Sequence, residues 1–200
     1  PFVEDLYGYR YVENVLVDRS KFGTSTDWGL HASGKLADGL INYAVSAVNG
    51  NGYKNPSRSQ GIDLEGRVNV NVDHFVVGVG GYTGKLGKDV QGVTTFHTAN
   101  RFDAVAAYKS DNIRLGVEYF HATDWTNVLT PVSDSSEGYG LFGSYRFSPK
   151  ISVFGRYDWV KPSKDVNAKL NDDYFNLGVS YSPIDTIDLA LVYKREKAQD

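Results

Sequence analysis

Five arginines stand where a fixed charge could act on a passing solute. Arg67, Arg101, Arg114, Arg146 and Arg156 each occupy the polar side of a separate stretch of alternating residues, read as mid-strand. A guanidinium is permanently charged and offers a planar fork of donors, so such a series would attract anions and phosphates. Glu65, Asp103, Glu118 and Asp158 fall on the same faces, with Asp63 beside them. The second reading is therefore that the arginines pair with these carboxylates and brace a wall. A further charged set sits in residues 1–24, where Glu4, Asp5 and Glu13 accompany Arg10, Tyr7, Tyr9 and Tyr11. Folded in opposite the arginines, these acids would set a transverse field across a passage that the tyrosines narrow. The same segment could instead pack on a rim or contact another subunit.

Nothing else in the chain points to bond-making chemistry. The four histidines, His31, His74, His97 and His121, are scattered and lack metal-ligand spacing. No nucleophile-elbow, phosphate-loop or dinucleotide fingerprint occurs. Ser133–Glu137 and Asn171–Asp173 carry acids that could hold Ca²⁺, but they read better as solvated loops. The expectation is no enzyme, no cofactor and no metal. A net charge of -3 argues against nucleic acid as a partner. Cys and Met are absent, while Tyr numbers 14 and Gly 21; the lack of Cys suits an oxidising compartment without requiring one.

The elements that must carry the arginines are strands. Ser136–Val160 shows the pattern most fully. Tyr139, Leu141, Gly143, Tyr145 and Phe147 alternate with Gly138, Gly140, Phe142, Ser144 and Arg146. After Ser148-Pro149-Lys150, Ile151, Val153, Gly155, Tyr157 and Trp159 alternate with Ser152, Phe154, Arg156 and Asp158. A period of two joined by a short turn is a hairpin. The same alternation begins at Trp28 and runs to Tyr193, giving about ten strands of roughly 9–11 residues, enough to cross a bilayer when tilted. The register of 75–83 is ambiguous, because both of its faces are apolar or Gly.

Aromatic side chains gather at the two ends of the apolar faces. Trp28, Tyr119, Tyr139, Trp159, Phe175 and Tyr193 fall at one end; Tyr108, Tyr145, Phe147 and Tyr181 fall at the other. Tyr and Trp favour the two headgroup layers of a membrane, and this placement has no counterpart on a water-facing sheet. Charged residues on the opposite face suit a water-filled lumen. The expected fold class is all-β, a transmembrane antiparallel β-barrel, with 1–24 an external loop folded into the pore and 25–200 the barrel strands. Short turns and long loops alternate strictly. With short turns on the periplasmic side, the first strand runs downward and the last upward. Both Pro1 and Asp200 then lie outside, and the chain is expected to be a fragment with strands missing on each side. A plugged barrel acting in binding or adhesion, and a soluble β-barrel ligand carrier, are the alternatives.

The order of features resembles that of Gram-negative outer-membrane porins, and most of all the phosphate-selective porin O and P group. The resemblance rests on Pro1 with Tyr9-Arg10 in the leading loop, Ser25-Thr26-Asp27-Trp28-Gly29 at the first strand, Leu40-Ile41-Asn42-Tyr43-Ala44-Val45, and Asn49-Gly50-Asn51-Gly52. It implies a sixteen-stranded, homotrimeric channel in the outer membrane of a Gram-negative bacterium, in contact with outer-membrane lipid and lipopolysaccharide. It also implies passive diffusion of small hydrophilic solutes or anions. Residues 1–24 would be the infolded third loop, and the ten strands the sixth to fifteenth. The acids interleaved with the arginines depart from a purely basic ladder.

Overall fold

The computed structural model describes residues 2–23 and 26–199, so Pro1, Thr24, Ser25 and Asp200, on which parts of the expectations above fall, lie outside the described residues. Ten antiparallel strands form one sheet in strict sequence order. They are β1 Gly29–Leu36, β2 Ile41–Val48, β3 Asp63–Val72, β4 Phe75–Gly84, β5 Ala99–Lys109, β6 Ile113–Thr123, β7 Ser135–Ser148, β8 Ile151–Lys161, β9 Asn171–Ile184 and β10 Ile187–Gln199. Their lengths run from 8 to 14 residues, a wider range than the 9–11 expected. β7 and β9 gain residues because each continues past the membrane-length alternation at its ends. Two short helices precede the sheet, α1 Phe2–Tyr7 and α2 Leu16–Arg19. No helix among the described residues is long and apolar enough to cross a membrane.

The turns explain the meander. β1 and β2 are joined by a 3-10 turn in which Ala37, Asp38 and Gly39 all take positive φ, a conformation that lets two strands fold back within three residues. The other short turns are 73–74, 110–112, 149–150 and 185–186, and they share one end of the sheet with 37–40. The long connections, 49–62, 85–98, 124–134 and 162–170, share the other.

Side-chain exposure separates the two faces. Outward residues such as Leu64, Val68, Val77, Val117, Leu141, Leu177 and Val179 are exposed, although they are large and apolar. Their alternates Asp63, Asn69, Asp103, Glu118, Arg156, Asp158 and Asn176 are buried. A water-soluble sheet does the opposite, so this is the polarity of a barrel whose outer face meets lipid. The ambiguous β4 is resolved: Gly78, Tyr82 and Gly84 point inward and buried, while Phe75, Val77 and Val79 point outward. Outward aromatics form lateral chains, Tyr119 with Tyr139 at 5.1 Å and Tyr139 with Trp159 at 5.7 Å at the long-loop end, and Phe75 with Tyr108 at 5.1 Å at the short-turn end. Among the described residues no ladder joins β1 to β10. Both edge strands therefore present unpaired backbone groups, which in lipid require strand partners.

The long loops are themselves tied together. Asp134 accepts hydrogen bonds from the backbone N–H groups of Ser135 (2.9 Å), Lys164 (3.1 Å), Asp165 (3.0 Å) and Val166 (3.4 Å), clasping 124–134 to 162–170. Partial burial raises its carboxyl, but the Ser163 hydroxyl and these N–H donors outweigh it and hold the group below the usual carboxylate range. A lowered folded pKa means the clasp is fully present above the unfolded value, about 3.9, and is lost as pH falls through the folded value. Amide exchange at Lys164–Val166 is accordingly expected to stay slow from neutral pH down to about 4 and to accelerate below it. Asp134→Ala should give fast exchange at every pH; slow exchange in that variant would show that the clasp is held by other contacts.

Candidate functional site

The lumenal side chains lie in rows set by the ladder register, and the rows explain the ion pairs. Arg67 on β3 and Asp103 on β5 flank Gly80 on β4. With no side chain between them, the guanidinium and carboxylate meet directly over the glycine. A Cβ on Gly80 would come within 2.9 Å of Asp103 Oδ2 and 3.1 Å of Arg67 Nη2. Arg101 stands 3.4 Å from the other Asp103 oxygen and donates to the Phe22 carbonyl at 2.7 Å. In another row Glu118, Gly140, Asp158, Tyr174 and Glu196 follow one another across β6 to β10. Arg156 lies one step along the strand from that row. It donates through Nε to Asp158 Oδ1 at 2.8 Å and stands 3.8 Å from Glu118, with its side chain entirely buried.

Residues 2–23 lie against this concave face. The lumenal side of β5–β8 is not polar throughout: Val105, Ala107, Phe142 and Phe154 form an apolar patch, and Leu6, Tyr7, Tyr9 and Val15 cover it. Tyr9 stacks on Phe154 at 4.2 Å, and Tyr7 meets Phe142 edge-on at 5.7 Å. Higher up, Leu16 and Phe22 pack on Phe120, Ala122 and Val160. Small wall residues make room for these rings: a Cβ on Gly178 would strike Phe154, and one on Gly138 would strike Phe120. The segment thus runs from mid-lumen, down to a turn at Gly8–Val12 near the short-turn end, and back up toward the long loops.

Charges lock it there. Arg19, the last residue of α2, reaches carboxylates on three successive strands, Asp158 at 3.1 Å, Asp172 at 3.2 Å and Glu196 at 3.0 Å, and lies over the Tyr174 ring at 4.6 Å. Lys194 donates to the Val12 carbonyl at 2.6 Å and to Glu13 at 3.2 Å. Burial raises Glu13, but the Asn14 N–H and the Lys194 ammonium prevail and hold it below its ordinary value. Asp18 is raised by burial, against the pull of Arg10.

No family model matches the chain, and no curated protein matches it. Solved structures do. The chain resembles a porin refined at 1.8 Å, with a TM-score of 0.64 at 15% identity over 86% of this chain and 59% of that one. It also resembles outer-membrane expressed OmpT of Vibrio cholerae, with a TM-score of 0.63 at 13% identity over 86% and 55% of the two chains. A loop L8 deletion mutant of OmpT, an outer membrane protein of Vibrio cholerae, gives 0.54 at 20% identity over 82% and 60%. The chain spans between 55% and 60% of the length of these structures. The fold is that of the outer-membrane β-barrels.

Within that fold the expected site residues separate into three groups. Arg67, Arg101, Asp103, Glu118, Arg156 and Asp158 all point inward and are engaged with one another or with the segment. Glu65 points inward as well and lines, with Glu4, Asp18, Arg67, Arg101 and Glu118, a cavity of about 260 Å³ between the segment and the wall. Arg114 and Arg146 point inward but sit at the short-turn ends of β6 and β7, and Arg101 at the long-loop end of β5, so these three are not at mid-strand. The row is a descending stair, because antiparallel register places each residue at a height its sequence position alone does not show.

The acids of the segment do not face the arginines across open space. Glu4 pairs with Arg10 inside the segment, Glu13 pairs with Lys194, and Asp5 is exposed, its carbonyl accepting from Lys109 Nζ at 3.3 Å. Tyr7 and Tyr9 are anchors in the wall, while Tyr11 is half exposed. The acidic loops considered for Ca²⁺ are occupied by other partners, Asp134 by N–H groups, Asp172 by Arg19 and Asp173 by the Tyr157 hydroxyl at 2.7 Å. Phe142, Phe154, Arg19, Asn176 and Lys194 also belong to the site, and the sequence signal for them is two phenylalanines at lumenal positions of adjacent strands.

Proposed function

We propose that the chain forms wall and constriction of a passive diffusion channel in the outer membrane of a Gram-negative bacterium. Small hydrophilic solutes pass through water and no bond is made or broken. The observation that carries this reading is the segment 2–23. It is held against one side of the concave face by a small apolar core and buried ion pairs, and it leaves a charged cavity beside it. A fixed obstacle anchored to one wall narrows a lumen without filling it. The exposed apolar convex face with its aromatic chains supports a lipid setting. The barrel closes through strands that pair with β1 and β10, and trimeric assembly, contact with lipopolysaccharide and the absence of a cofactor belong to the same proposal.

Selectivity follows from which charges are paired. The arginines at mid-height are matched by carboxylates, so their fields largely cancel within a Debye length of about 8 Å in physiological salt. Among the described residues, Arg114, Arg146 and Lys150 at the short-turn mouth have no carboxylate within ion-pair distance and favour anions. Single-channel recording in a planar bilayer under a KCl gradient is expected to show steady open channels with a mild anion preference. Arg114→Ala with Arg146→Ala should move the reversal potential toward cations. A folded barrel that never conducts would overturn the channel reading and favour a plugged receptor.

A further inference from the structure

The cavity of about 260 Å³ between the segment and the wall carries two unmatched charges of opposite sign. We infer that it is a binding site for a small zwitterion, an α-amino acid with an apolar side chain, whose ammonium meets Glu65 and whose carboxylate meets Arg67. Such a site rests on the channel reading of the same cavity and gives the channel a solute class.

The positive pole arises by sharing. Arg67 and Arg101 both turn to Asp103, the first in direct contact and the second at 3.4 Å, so two guanidinium groups divide one carboxylate. Arg67 Nη1 is buried and has no hydrogen-bond partner among the described residues. The negative pole is Glu65, which makes no ion pair and no hydrogen bond among the described residues. The other acids of the cavity already have cations: Glu4 and Asp18 meet Arg10, and Glu118 lies 3.8 Å from Arg156. Glu118 is almost fully buried, yet its Oε1 has no hydrogen-bond partner among the described residues and adds an acceptor to the cavity wall.

Register sets the spacing of the poles. Glu65 and Arg67 are two residues apart on the lumenal face of β3, about 7 Å along the strand. Arg101 stands in the same row as Glu65, on the far side of Tyr82. Arg67 reaches Asp103 over Gly80 rather than turning to Glu65. The gap left between them suits an ammonium and a carboxylate carried on one carbon. Val3, Val15 and Val17 of the segment offer the cavity an apolar side for an alkyl group. A cavity of about 150 Å³ holds benzene, so there is room for an amino acid of leucine's size. A simple anion would leave Glu65 unmatched, and a simple cation would leave Arg67 Nη1 without an acceptor.

The experiment titrates the intact folded protein in detergent with L-leucine and with its two halves, 3-methylbutylamine and 4-methylpentanoate, by calorimetry. Leucine is expected to bind saturably and at least about tenfold more tightly than either half, the scale of one charged hydrogen bond. Glu65→Gln has no partner to lose in the fold. It should weaken leucine and the amine by about tenfold and leave the carboxylate no weaker. Arg67→Lys keeps Asp103 paired but loses the fork; it should weaken leucine and the carboxylate and spare the amine. A general folding defect would weaken all three ligands together. Leucine binding no tighter than that of either half would overturn the site, as would unchanged leucine affinity in folded Glu65→Gln. Planar-bilayer recording is run alongside: in open channels leucine should cause brief interruptions of the current that saturate with concentration. Leucine binding in a folded barrel that never conducts would support the site while overturning the channel.

Discussion

Arg156→Met is expected to destabilise the protein by about 3–5 kcal/mol, the usual result of removing one member of a buried ionic cluster. The Arg156 side chain is wholly buried, between Asp158 at 2.8 Å and Glu118 at 3.8 Å, with a hydrogen bond to the Asn14 carbonyl at 3.1 Å and the Tyr7 ring 5.0 Å away. Asp158 keeps Arg19 when Arg156 is lost. Glu118, almost fully buried, loses its paired cation, and the desolvation of that carboxylate then stands uncompensated. The identity of the cost can be checked by a cycle. Glu118→Gln removes the charge, so Arg156→Met on that background should cost less than on the original, with a coupling of about 1–3 kcal/mol. Urea unfolding in lipid vesicles, followed by tryptophan fluorescence, measures both. A loss below about 1 kcal/mol for Arg156→Met would mean that water reaches the cluster and screens it.

The sheet was legible in the sequence because a membrane barrel has no freedom to hide its pattern. One face meets lipid and the other water or a lining, so Val117 and Leu141 must alternate with Glu118 and Gly140, and the turns must fall between them. β4 resisted because its inward positions are mostly glycine: Gly78 and Gly80 are small in order to admit Asn69, Asp103 and Arg67 from neighbouring strands. A residue chosen for what its neighbours need carries no polarity of its own. The inward direction of the arginines was legible for the same reason that the strands were. Their heights and partners were not, since pairing across two strands depends on register and on the gap at Gly80 or Gly140. The segment 2–23 lacks any periodicity long enough to read. Its docking depends on Phe142 and Phe154, which interrupt a polar face and look like noise until a second surface covers them.

Tyr7→Ala combined with Tyr9→Ala is expected to free the middle of that segment while leaving the barrel folded. Each ring is buried against an aromatic wall residue, and truncating a buried aromatic costs about 3–5 kcal/mol. Tyr7 also accepts from Asn176 Nδ2 at 3.3 Å, and Tyr9 donates to Ser152. The tethers at Arg19 and Lys194 lie above the site of change and are untouched. The strand ladders do not include residues 2–23, so unfolding of the sheet should shift by much less than the docking energy lost. The local consequence is a turn at Gly8–Tyr11 that leaves the wall and fluctuates in the lumen, with Val12 still held by Lys194. Single-channel current should rise and become noisy, and peptide bonds near Tyr9 should become open to protease. Tyr11→Phe is the matched control, because Tyr11 is half exposed and loses only its bond to Ser180; its conductance should stay at the original level. Conductance and protease resistance both unchanged in Tyr7→Ala/Tyr9→Ala would show that the ion pairs alone position the segment and that the apolar patch is incidental to the constriction.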